Sequence, residues 1–193
     1  MPITYVNAKE KTYYLHQGVT KTGKPKYHFA MKSEGNLADS IPEGYEIYEN
    51  PNAQVFLRRI PPKIITDEEI AIVEAGMRTY SNVKDYKLDV RGNAIFIYTA
   101  VQDLEALMAI VQDYPTSQDE QARMMATLRQ EIQYTSDMQF VLVDETKRTF
   151  ATQRYCYLGS IDDWIPIGRS DKLPSLVKQY VKHLGKESFV TLR

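Results

Sequence analysis

The sequence predicts an α+β fold: an N-terminal antiparallel β module followed by a larger mixed domain of β-hairpins and about four helices. Three observations lead there. Residues from about 3 to 60 read as alternating strands broken by turn residues. Pro61-Pro62 then ends the strand pattern, because proline removes a ladder donor and stiffens the exit. Beyond it, hairpins and amphipathic helices mix without βαβ regularity, which disfavours a doubly wound sheet. The expected division is 1–62 and 63–193.

The first hairpin spans Tyr13 to Met31. Its odd residues Tyr13, Leu15, Tyr27, Phe29 and Met31 are apolar or aromatic, and its even residues His16, Lys26 and His28 are polar. Strand side chains alternate faces, so the expected register puts Leu15 opposite Phe29 and His16 opposite His28, with a loop centred on Thr22. A second hairpin runs from Tyr45–Glu49 through Asn50-Pro51-Asn52-Ala53, a type I turn pattern, to Gln54–Ile60. Together these suit a four-stranded module.

Thr66 with Glu69 forms a capping box before a helix striped by Ile70, Val73, Met77 and Tyr80 and ending near Ser81. Tyr86–Arg91, Gly92-Asn93 and Ala94–Thr99 form a hairpin with a type II′ turn, pairing Val90 with Ile95 and Leu88 with Ile97. That apolar face requires a helix upon it. Leu104, Leu107, Met108, Val111 and Tyr114 mark a second helix stopped by Pro115. Ser117 with Glu120 caps a third, marked by Ala122, Met125, Leu128 and Ile132. Met138–Val143 and Phe150–Leu158 read as strands around the turn Asp144–Lys147. Gly159 to Gly168 reads as a loop anchored by Trp164. Asp171 is placed to cap a last helix bearing Leu173, Val177, Tyr180 and Leu184, with Gly185 as its stop. Ser188–Leu192 reads as a closing strand.

The chain is 43% hydrophobic and 25% charged, ordinary for a folded protein that buries a core without staples. Cys156 is its single cysteine, so an intrachain disulfide and a cysteine-rich metal site are both excluded. A signal-like apolar N-terminal run and an apolar stretch long enough for a membrane helix are both lacking, and the expectation is a soluble cytoplasmic protein with no membrane partner. Charge is uneven: nine basic against six acidic residues over 1–65, and three against nine over 102–147. Such a distribution can steer an anionic partner to one end, or simply be solvated.

The candidate binding surface is the basic face of the first module. Lys21, Lys24 and Lys26 lie near Tyr14, Tyr27 and His28, with Arg58 and Arg59 on a neighbouring strand. Cations interleaved with aromatics suit single-stranded nucleic acid, or another anionic partner such as an acidic protein. Gly18-Val-Thr-Lys-Thr-Gly23-Lys24 matches seven places of the phosphate-cradling P-loop. Pro25 stands where Ser or Thr should be, and a strand follows where a helix is needed, so the nucleotide reading fails. His16 and His28 supply at most two ligands, too few for zinc, and are expected to be a solvated or partner-facing pair of the same binding surface. No metal, cofactor or catalytic residue is therefore assigned. Cys156 reads as a buried structural thiol, and His183 lies near a helix C-terminus. An alternative is an enzyme with a site around Tyr155, Asp162 and Asp163, since paired carboxylates can divide acid and base roles. Another is a structural or protein-interaction module.

The run Tyr13–Phe29 with Ile41–Leu57 resembles a group of uncharacterised bacterial proteins with no assigned function. Cys156-Tyr-Leu-Gly-Ser-Ile-Asp-Asp-Trp-Ile and Lys182-His-Leu-Gly-Lys-Glu-Ser-Phe189 carry the same resemblance. It covers under half the chain and implies no activity, cofactor or site residue.

Overall fold

The computed structural model describes residues 1–113, 115–158 and 160–192, and the chain is α+β. It divides into two compact units, Met1–Pro61 and Pro62–Arg193.

The first unit holds five strands in two sheets rather than one four-stranded sheet. Strands β1 (Thr4–Val6), β2 (Thr12–Val19) and β3 (Pro25–Ala30) form one antiparallel sheet, and β4 (Tyr45–Glu49) pairs with β5 (Val55–Arg59) in another. β1 is short and has no alternation of its own to give it away. Leu15 pairs with Phe29 and His16 with His28, as alternation requires. Leu15 is fully buried. The expected polar face of this hairpin is covered at His16, however, while Lys26 and His28 stay exposed. Residues 32–37 return along β2, His16 bridges to Leu37, and its Nε2 lies 2.9 Å from the Lys32 carbonyl. His16 is therefore buried rather than solvated, whereas Met31, expected on the apolar face, is 59% exposed. The turn before β5 is closed by the Ala53 amide donating to the Asn50 carbonyl at 2.8 Å.

The second unit is built on a five-stranded antiparallel sheet in which every strand pairs with its sequence neighbour. Its order is β10 (Ile161–Lys172), β9 (Thr149–Leu158), β8 (Tyr134–Asp144), β7 (Ala94–Ala100), β6 (Tyr86–Arg91). Val90 pairs with Ile95 and Leu88 with Ile97. Only Gly92 of the two turn residues has positive φ, 57°, as a type II′ turn demands. Alternation divides the sheet cleanly. Ile95, Ile97, Met138, Phe140 and Ile167 face a helix layer made by α1 (Asp67–Tyr80) and α4 (Leu173–Tyr180).

The α1 capping box is formed, but its buried stripe is Val73, Gly76 and Met77, with Tyr80 exposed. Gly76 lets α4 approach: a Cβ there would stand 1.9 Å from Val177 Cγ1. Gly76→Ala is accordingly expected to destabilise the protein by roughly 1–3 kcal/mol, overpacking outweighing the gain in helix propensity. Urea unfolding measures it, and an unchanged midpoint would contradict this packing.

Helices α2 (Leu104–Asp113) and α3 (Gln118–Glu131) connect β7 to β8, α3 beginning with the Ser117–Glu120 capping box. None of the α3 residues is buried, so the expected Ala122–Leu128 stripe is not a core face. Ile132 is buried just beyond the helix end. Tyr114 and Gly159 lie outside the described residues.

Three C-terminal expectations are corrected. The segment around Trp164 is strand β10, paired along β9 from Ile161↔Leu158 to Ile167↔Thr152, despite Pro166. An edge strand tolerates proline because one side needs no donor, and this pattern hid the strand. Asp171 belongs to β10, and α4 is capped at Lys172 without a side-chain bond, Pro174 sitting in its first turn. α4 stops at Tyr180, followed by a 3-10 turn at Val181–His183 and by Gly185 at φ 72°. The expected closing strand is a short helix, α5 (Glu187–Val190), next to Arg154. That guanidinium donates from Nε to the Leu192 carbonyl at 3.0 Å and from Nη2 to the Val190 carbonyl at 2.9 Å. Its donors occupy carbonyls that a ladder would otherwise use.

Among the described residues, no helix is long and apolar enough to cross a membrane.

Candidate functional site

The face of the five-stranded sheet opposite the helix layer carries the side chains that alternation removes from the core. One rung reads Asp89, Phe96, Gln139, Gln153 and Pro166 across all five strands. The Gln139 amide donates to Gln153 Oε1 at 2.6 Å. Next to this rung, β8 bulges between the pairs Ile97↔Met138 and Tyr98↔Ser136. The extra residue, Asp137, breaks the alternation, as bulges do where a strand re-aims a side chain.

The result is a cavity of about 540 Å³ on this open face, within the size range of small-ligand sites. Its walls are aromatic: Phe96 and Tyr98 from β7, Tyr155 and Tyr157 from β9, and Trp164 from β10. The Trp164 ring meets Phe96 edge-on at 5.7 Å and 76°, and Tyr155 at 5.3 Å and 79°. These perpendicular pairs hold the indole upright between its neighbours. Trp164 is thus a half-buried wall of the cavity, not the core anchor expected from sequence.

Polar groups sit at defined points of the same cavity. Arg91 Nε donates to Asp89 Oδ2 at 2.6 Å and its Nη2 to the Tyr98 hydroxyl at 2.7 Å. Its guanidinium carbon lies 5.3 Å from the Phe96 centroid and 5.7 Å from that of Tyr98. Asp137 accepts from the hydroxyls of Thr99 and Thr135. Burial pushes its carboxyl above the ordinary aspartate range, against the lowering effect of those two hydroxyls. The Ser136 hydroxyl oxygen is buried without a hydrogen-bond partner among the described residues. Tyr155 donates to Asp162 Oδ1 at 2.5 Å, and this bond, then burial and the Asp162 and Asp163 charges, raises its phenol. Asp163 accepts from the Trp164 amide at 2.7 Å.

The raised carboxyl has a consequence for stability. A folded-state acid with an elevated pKa carries no penalty below its unfolded value, 3.8, and the full penalty once pH exceeds the raised value. Asp137→Asn is therefore expected to raise the melting temperature at neutral pH. The gain should vanish as pH falls through the aspartate range. A pH series of thermal melts checks this; an equal difference at all pH values would contradict it.

The sequence-derived surface in the first unit is distributed differently. Lys21, Lys24 and Lys26 are exposed on the β2–β3 hairpin and at the start of β3, beside a hollow of about 330 Å³ lined by Gly18, Pro25 and Tyr27. Gly23 has φ 78° and β3 follows at once, so the loop is a hairpin turn with no helix behind it. Tyr14 is half-buried and pairs with Ala30. His28 stacks on His16 with centroids 5.2 Å apart. Arg58 and Arg59 lie on β5, in the other sheet. Arg58 is held by Glu46 at 2.9 Å and lies 3.8 Å over the Tyr48 ring; Arg59 donates to the Tyr45 hydroxyl at 3.4 Å. Among the described residues, no group of three or more His, Cys, Asp or Glu is arranged to hold a metal ion. Cys156 is buried, and His183 is lowered by burial, then by Lys182 and Lys186.

Sequence reasoning named Tyr155, Asp162 and Asp163 in this region, but not Phe96, Tyr98, Ser136, Asp137 or Tyr157. A usable signal existed. In Ala-Ile-Phe-Ile-Tyr, Phe96 and Tyr98 alternate with Ile95 and Ile97, so aromatics must line the face away from the helices. The bulge that brings in Asp137 leaves no such trace.

No family model matches the chain, and no curated protein or solved structure shows significant similarity to it.

Proposed function

We propose that the protein is a binding protein whose larger unit takes a small organic ligand on the open aromatic face of its sheet. The observation that carries this is one cavity combining five aromatic walls with a desolvated carboxyl. A carboxyl desolvated by folding costs stability, so its place in a concave aromatic site supports recognition of a ligand there. Among the described residues no base is hydrogen-bonded to the Ser136 hydroxyl to activate it as a nucleophile, which favours binding over acyl transfer.

Trp164 is the single tryptophan of the chain and lines this cavity, so its emission reports occupancy directly. A saturable change is expected with at least one member of a panel of nucleosides, glycosides and small amines. Tyr155→Ala is expected to weaken it at least tenfold. A panel that leaves Trp164 emission unchanged at millimolar concentration would remove the proposal.

A second reading concerns the first unit. Lys21, Lys24 and Lys26 form no ion pair among the described residues, which favours an anionic partner, nucleic acid or an acidic protein, at the hairpin loop. Single-stranded DNA and RNA are expected to bind at low salt and to be released as salt rises. Affinity that survives Lys21→Glu with Lys24→Glu would exclude this loop.

A further inference from the structure

The polarity of the aromatic cavity is unbalanced in one direction. Its resident cation, Arg91, is matched by Asp89, so this pair contributes no net charge. Asp137 has only the hydroxyls of Thr99 and Thr135 as hydrogen-bond partners among the described residues. Asp162 and Asp163 stand on β10 beside Trp164 and add further negative charge. Aromatic faces attract cations through their quadrupole, most strongly for tryptophan. Arg91 already shows this attraction at work, lying within 6 Å of two of the rings. Those contacts use Phe96 and Tyr98, leaving Tyr155, Tyr157 and Trp164 for a ligand. Phosphate-bearing ligands meet the opposite situation, since Asp137 lines the cavity and its lining cation, Arg91, is already paired.

We propose that the ligand of this cavity is an organic cation, a substituted ammonium group seated against Trp164, Tyr155 and Tyr157, with Asp137 as its counter-charge. This rests on the cavity being the ligand site. A cation placed there relieves a carboxylate that folding has desolvated. The bulge in β8 is what brings Asp137 to the aromatic wall.

The test uses the full chain, with Trp164 emission and calorimetry as independent readouts. Choline and trimethylammonium are titrated beside 3,3-dimethyl-1-butanol, which has the shape of choline without its charge. Adenosine and methyl glucoside serve as uncharged ring-bearing probes. Choline is expected to bind saturably, and the neutral alcohol at least tenfold more weakly. Asp137→Asn, which keeps the shape of the site, should lower choline affinity at least tenfold while circular dichroism and the melting transition stay cooperative. Equal binding of choline and its neutral counterpart, or choline binding unaffected by Asp137→Asn, overturns the inference. Binding of adenosine or methyl glucoside alone overturns it while leaving the cavity as the ligand site. Silence from every probe overturns both.

Discussion

Glu69→Ala is expected to destabilise the larger unit by about 3–4 kcal/mol, because one carboxylate accepts three hydrogen bonds at the start of α1. It accepts from the Thr66 amide at 3.0 Å, completing the capping box. It also receives the Arg148 guanidinium through both Nε and Nη2, the Nε bond being 2.9 Å. Arg148 in turn donates to the Ile64 carbonyl at 3.2 Å. The β8–β9 turn is thereby tied to the helix, and Arg148 itself sits at φ 47°, which that tie helps to hold. Glu69 is buried, so removing it takes the acceptor from the Thr66 amide and from the Arg148 guanidinium together. Arg148→Ala should cost a similar amount, since it leaves the buried Glu69 carboxylate without its cation and the Ile64 carbonyl without its donor. Chemical denaturation of the two variants and their double mutant measures the coupling. Additive losses would show that the pair does not act as a unit.

Arg154→Ala is expected to cost about 2–3 kcal/mol and to act locally. Arg154 is 8% exposed on the helix side of β9, and its donors meet the carbonyls of Val190 and Leu192. Removing it leaves those carbonyls to water and frees the segment around α5. Hydrogen exchange should accelerate over residues 187–192, with little change in β6 to β9. Lysine is a poor substitute, because a point charge cannot reproduce the planar fork. Unchanged exchange at 187–192 in the alanine variant would refute this role.

Elements whose chemistry is local were legible in the sequence. The Thr66 and Ser117 capping boxes, the Gly92 turn and the His16–His28 register depend on residues a few places apart, and all are present. What escaped depends on distant partners. β10 contains a proline and two adjacent aspartates and is a strand only because β9 lies alongside. Residues 188–192 alternate like a strand but turn into α5 beside Arg154, over thirty positions earlier. For the site, the aromatics at 155 and 164 were visible as residues but not as neighbours. Asp137 entered through a bulge, which periodicity cannot foresee.

The sheet of the larger unit is a simple meander, but its cover is supplied from opposite ends of that unit. α1 precedes every strand of it and α4 follows them all. During synthesis the hairpins can form one after another as they emerge, since each pairs with its neighbour. Ile95, Ile97, Met138 and Phe140 cannot be sealed until α4 has left the ribosome and met α1 at Gly76. A nascent chain halted before Leu173 therefore displays a nearly finished sheet with half its greasy side bare, the condition in which chaperones find a client.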